Sequence, residues 1–126
     1  MNVVDSSGWL EYFANSANAT VFAQPIQQLD ALVVPSITIA EVFKRILQQR
    51  NEHAALQAAA HMNQGRVIAL ETSLAMTAGK LGHELKLPLA DSIILATAQR
   101  YQALLWTQDE DFKRLNLPGI RYIPKR

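Results

Sequence analysis

Short runs rich in Val, Ile and Leu alternate along this chain with longer segments of helical periodicity. The runs are Asn2–Asp5, Ala31–Pro35, Arg66–Leu70, Ala103–Thr107 and Ile120–Ile123. Each suits a strand covered on both faces, which reads as a continuous apolar run. Strands interleaved with helices build βα units and a parallel sheet. The expected fold is therefore α/β: a three-layer α/β/α sandwich with a central, mainly parallel sheet. A length of 126 residues suits one domain, 1–126, since domains cluster at roughly 100–150 residues.

The helical segments carry their own marks. Ile39, Val42, Phe43, Ile46 and Leu47 recur on one face, with Ser36 placed to cap them. Leu74, Ala78, Leu81 and Leu85 form a second stripe behind Thr72 or Ser73 as cap. Leu89–Tyr101 is apolar almost all round, which predicts a buried helix. Trp9, Leu10 and Phe13 give a short apolar face after the first strand, and the Ala- and Gln-rich Gln48–Gln64 predicts a peripheral helix.

Composition removes whole classes of chemistry. With 49% apolar residues the chain can bury a core, and with no cysteine it has neither disulfides nor thiolate metal sites. His53, His61 and His83 lack ligand spacing and are expected at the surface. No apolar run approaches the roughly 18 residues of a membrane span, and the start has no signal-peptide pattern. A cytoplasmic protein is expected. Net charge is only +1, yet six of the twelve Lys and Arg residues lie in 100–126, a footprint a polyanion would fit. The same residues also read as a solvated surface.

Acids cluster where such a sheet forms sites, at the carboxyl ends of its strands. Asp5-Ser6-Ser7 follows the first run, and Thr107-Gln108-Asp109 closes the fourth. Asp91 starts the buried helix, and Glu41 lies in the Ser36–Arg50 segment. Each has a plain alternative. Asp5, Asp91 and Asp109 with Asp111 are all placed to cap helices, and Glu41 falls opposite its apolar stripe. Jointly, carboxylates gathered above one sheet would repel one another, and a divalent cation resolves that conflict. All-oxygen ligands select Mg²⁺, with Mn²⁺ as a substitute, over zinc. Such an ion activates water and stabilises phosphate charge.

These segments together resemble a PIN domain. Length and the near-terminal Asp are similar to the VapC-like toxin ribonucleases of type II toxin–antitoxin modules. The resemblance implies a Mg²⁺-dependent endoribonuclease with catalytic, metal-holding acids at Asp5, Glu41, Asp91 and Asp109. It places Ser7, Thr107 and Asp111 in support, and implies an RNA substrate, a homodimer and an antitoxin partner. The alternative is a catalytically silent PIN-like module that binds RNA or protein. No Gly-rich nucleotide loop and no G-x-S-x-G occurs. Trp9, Tyr12 and Trp106 are expected in the core rather than stacked on bases. Lys44, Arg45, Lys113 and Arg114 are candidates for holding phosphates.

Overall fold

The computed structural model describes residues 1–126. Its sheet has five strands: β1 (Asn2–Val4), β2 (Leu32–Pro35), β3 (Arg66–Ile68), β4 (Leu104–Thr107) and β5 (Ile120–Tyr122). Their order is β3-β2-β1-β4-β5, and every neighbouring pair is parallel. Each strand lies within a run predicted from the sequence. Six helices join them: α1 (Ser6–Phe13), α2 (Ala19–Ile26), α3 (Ser36–Gln49), α4 (Glu52–Met62), α5 (Thr72–Leu85) and α6 (Leu89–Arg100).

Alternation along the strands divides the core between two layers. Val4, Leu32, Val34 and Trp106 pack with Trp9, Phe22, Val42, Ile46 and Met62 from α1–α4. Val3, Val33 and Leu105 turn the other way, onto Ile94, Leu95 and Ala98 of α6. Helix α5 then covers α6 through Leu74 and Ala78 against Ile93 and Ala96. Sandwiched in this way, α6 is buried from Asp91 to Ala98, as its all-round apolar pattern predicts. No helix is long and apolar enough to cross a membrane.

Helix ends depart from the sequence expectation. Ser36 is the first residue of α3, not its cap; Pro35 holds that position without a side-chain bond. Neither Thr72 nor Ser73 caps α5. Glu71 does, accepting from Ser73 N at 3.0 Å and Leu74 N at 2.7 Å while Arg100 Nη1 grips it at 2.7 Å. The Gln48–Gln64 segment is not one helix: α3 stops at Gln49, and Asn51 Oδ1 caps α4 through Ala54 N at 2.8 Å. Helix α2 has little sequence signal, because it is short and carries Pro25. His53 and His83 are exposed as expected. His61 is half-buried, edge-on to Trp9, Tyr12 and Phe13.

One glycine sets how closely α1 approaches the sheet. A Cβ on Gly8 would lie 2.6 Å from Phe22 Cδ1 and 2.7 Å from Val4 Cγ1. Alanine's helix propensity favours Gly8→Ala by about 1 kcal/mol, but overpacking costs about 1–3 kcal/mol. The clash wins because both neighbours are fully buried. Urea denaturation of Gly8→Ala is therefore expected to show a net loss of up to about 2 kcal/mol.

Candidate active site

Strands β1 and β4 are neighbours although the chain places all six α-helices and two strands between them. Strand order reverses here, and such a switch point opens a crevice at the carboxyl ends. Asp5 N donates to Trp106 O at 2.9 Å, carrying the β1–β4 pairing one residue past the strand. That locks Asp5 over the sheet at 2% exposure.

One oxygen of Asp5 collects every bond. Oδ2 accepts from Ser7 Oγ at 2.7 Å, Thr107 Oγ1 at 2.9 Å and Ser7 N at 3.4 Å, the last being the cap of α1. No bond reaches Oδ1, so Asp5 caps a helix and still has a free donor. Burial pushes its carboxyl up to about 6; Ser7 and Thr107 pull it back, and the charge of Asp109 adds to the rise. Thr107 Oγ1 also accepts from Asp109 N at 3.0 Å, and Gln108 N donates to Ser7 Oγ at 3.3 Å. The hydroxyls of Ser7 and Thr107 thus tie the end of β4 to the end of β1.

Asp109 begins a 3-10 turn, Glu110–Phe112, by accepting from Asp111 N at 2.9 Å on Oδ1. Phe112 pins the turn into the core beside Val3 and Leu105. Asp91 lies in the first turn of α6 and does not cap it, since Pro88 holds the cap position. One carboxylate oxygen each of Asp91, Asp109 and Asp111 lies within 4.8 Å of the others. Asp91 is pushed up to about 8: by burial first, then by the charges of Asp5 and Asp109, then by a hydrogen bond and charge from Asp111. Asp111 thus joins this trio, and its backbone N–H, not its side chain, takes part in the cap.

Asp5 acts on the trio through its field and stands outside it. Glu41 also stands outside, half-buried on α3. Its Oε1 accepts from Ser6 Oγ at 2.5 Å, so the polar side of α3 does border the start of α1. Ser6 is the residue sequence reasoning missed. Its bond spans 35 positions, so the Asp5-Ser6-Ser7 pattern offers the hydroxyl without naming its partner.

The chemistry of this donor set fits a hard divalent cation. Every donor is a carboxylate oxygen, and none of these acids has a Lys or Arg partner, the ion pairs being Lys80–Glu84 and Arg100–Glu71. Buried Asp91, crowded by the half-buried Asp109 and the exposed Asp111 without a basic partner, is otherwise costly to ionise. Trp9 and Trp106 are buried and Tyr12 packs against the core, so they form no stacking platform for bases.

Known proteins share this fold. A chain of a toxin–antitoxin complex from Klebsiella pneumoniae is 25% identical, covers 96% of each chain and superposes with a TM-score of 0.75. VapC20 of Mycobacterium tuberculosis, a Sarcin-Ricin loop cleaving toxin, is 18% identical over 96% of this chain and 99% of its own, with a TM-score of 0.78. DNA-bound VapBC from Salmonella typhimurium is 18% identical over 98% of each chain, at 0.75. The last two likenesses concern the fold. No curated protein matches at the level of sequence. The family model of the PIN domain matches residues 3–117, from β1 through the acid-bearing turn after β4, and the chain belongs to the PIN-domain family.

Proposed function

We propose that residues 1–126 form one domain acting as a Mg²⁺-dependent endoribonuclease, the toxin of a cytoplasmic toxin–antitoxin pair. The observation that carries this reading is the trio Asp91, Asp109 and Asp111, gathered within 4.8 Å at the switch point beside buried Asp5 and lacking any basic partner. Membership of the PIN family supports nuclease chemistry, and the toxin–antitoxin proteins sharing the fold support the toxin role.

In this reading Asp5, Asp91 and Asp109 hold the ion, with Asp111 beside them. When bound, the ion supplies Lewis-acid stabilisation of phosphate charge and neutralises the crowded carboxylates. Asp5 would offer Oδ1, which no hydrogen bond reaches, while Ser7 and Thr107 occupy Oδ2. Burial and the neighbouring charges hold the Asp91 carboxyl up at about 8, and a bound cation would favour its deprotonated form. Glu41, steadied by Ser6, is the fourth acid at the edge of the crevice and is available to take a proton from the attacking water.

An antitoxin that inserts Arg among these carboxylates would pair bidentately and compete with the ion. A homodimer through helical faces belongs to the same reading; Met76 and Leu89, each 70% exposed on α5 and α6, offer it apolar surface. The test is cleavage of single-stranded RNA by the purified protein, with Mn²⁺ binding followed by calorimetry. Cleavage with Mg²⁺ or Mn²⁺ should stop in EDTA and return with excess Mg²⁺. Mn²⁺ binding without cleavage would leave a silent binding module in place of the enzyme.

A further inference from the structure

Basic side chains are sorted by the fold into those already engaged and those left open. Arg114 Nη2 donates to Leu85 O at 2.7 Å and Lys86 O at 2.8 Å, closing the end of α5. Arg121 lies over Trp106 at 4.3 Å and Arg66 over Tyr101 at 5.0 Å. Arg100 holds Glu71, and Lys80 pairs with Glu84. Arg45 and Lys125, in contrast, make no ion pair and no side-chain hydrogen bond, yet line one groove of about 300 Å³ with Ser7, Gln49 and Gln108.

This groove begins where the acid site ends. Ser7 shares its hydroxyl with Asp5 and receives Gln108 N, so its wall is also the wall of the site. Lys125 is held there although it is next to last in the chain. Ile123 N donates to Thr107 O at 2.8 Å, and buried Asn18 Nδ2 reaches both Pro124 O at 3.1 Å and Gln108 Oε1 at 3.0 Å. Glu11 is the groove's acid; its oxygens accept from Asn18 N at 2.8 Å and Gln108 Nε2 at 3.1 Å, which turns it toward those neutral donors and leaves Arg45 and Lys125 in excess of it. Arg126 lines an adjoining depression with Glu11, Gln108 and Lys125.

We propose that the groove between Arg45 and Lys125 binds a backbone phosphate of the RNA next to the one that is cut. This rests on the nuclease reading above. Two unpaired cations beside a carboxylate cluster suit a polyanion whose cleaved phosphate lies over the ion and whose neighbouring phosphate needs a counter-charge of its own. No aromatic ring lines the groove, so it positions the strand without reading bases.

The test uses a fluorescein-labelled, mixed-sequence single-stranded RNA in two arms. In the first, anisotropy titrations over a salt series use the full chain carrying Asp91→Asn, which needs no turnover. Adding Arg45→Ala and Lys125→Ala should lower the slope of log K against log salt by roughly 0.7 per cation, roughly 1.4 together. Lys80→Ala, on the opposite face of the sheet, should leave it unchanged. In the second arm, Arg45→Ala/Lys125→Ala in the otherwise native chain should raise KM with little change in kcat. An unchanged slope in the double variant, or a loss equalled by Lys80→Ala, overturns the groove even where the native chain cleaves RNA. A lowered slope in a chain that never cleaves supports the groove and removes the nuclease reading.

Discussion

Asp109→Asn is expected to lower RNA cleavage by about a hundredfold or more, the usual cost of one group that stabilises developing charge, and to leave the fold at least as stable as before. Asparagine caps as well as aspartate, so the bond from Asp111 N at 2.9 Å survives the change. Only the charge beside Asp91 is removed. Asp91→Asn should lose activity at least as fully, because it removes the buried member of the trio. Asp111→Asn is expected to cost less activity, since its side chain is exposed, and no stability. A helix-start role for Asp111 would instead predict a loss of about 1 kcal/mol, but its side chain accepts no cap bond. Cleavage rates and melting curves for the three variants decide the matter. Full activity in Asp109→Asn would remove Asp109 from the site.

The second large effect is on stability without metal. Asp5 and Asp91 are raised to about 6 and about 8 from 3.8. The folded chain therefore binds more protons than the unfolded chain between about pH 4 and pH 8, and stability falls as pH rises through that window. For Asp5 alone the loss is on the order of 3 kcal/mol, complete above about pH 6. Asp91 adds to it up to about pH 8. Glu71 is lowered by its hydrogen bond from Arg100 and acts in the opposite sense, but only at the acid edge of this window, and it is exposed, so it does not reverse the trend. In EDTA the melting temperature should drop on the order of 10 °C from pH 5 to pH 8. Mg²⁺ should restore it, more at pH 8 than at pH 5. Metal-free Asp91→Asn should melt above the wild type at pH 8 and lose the response to Mg²⁺. A melting temperature flat across pH in EDTA would mean that burial and crowding do not hold these two carboxyls protonated.

Strands and buried helix were legible because burial on both faces writes itself into consecutive residues. Val3-Val4, Leu32-Val33-Val34 and Leu104-Leu105 face two layers at once, and α6 is apolar around its circumference because α5 covers its outer side. The acids were legible as strand-end and helix-start residues: Asp5 after β1, Asp109 after β4 and Asp91 in the first turn of α6. Periodicity alone set Glu41 on a solvated face. Whether that face borders the crevice depends on how α3 crosses α1, which the Ser6 bond reports.

Local pattern thus determined the layers, the parallel sheet and the edge at which acids collect, since these follow from which residues must leave water. The tertiary structure alone decided that Asp111 stands with Asp91, that Asp5 spends one oxygen on Ser7 and Thr107, and that Lys125 faces Arg45 across a groove. Those pairings join residues up to 102 positions apart. They are set by crossovers and by a tail hydrogen-bonded to Thr107 and Asn18, and side-chain distance across a crossover leaves no period in the chain.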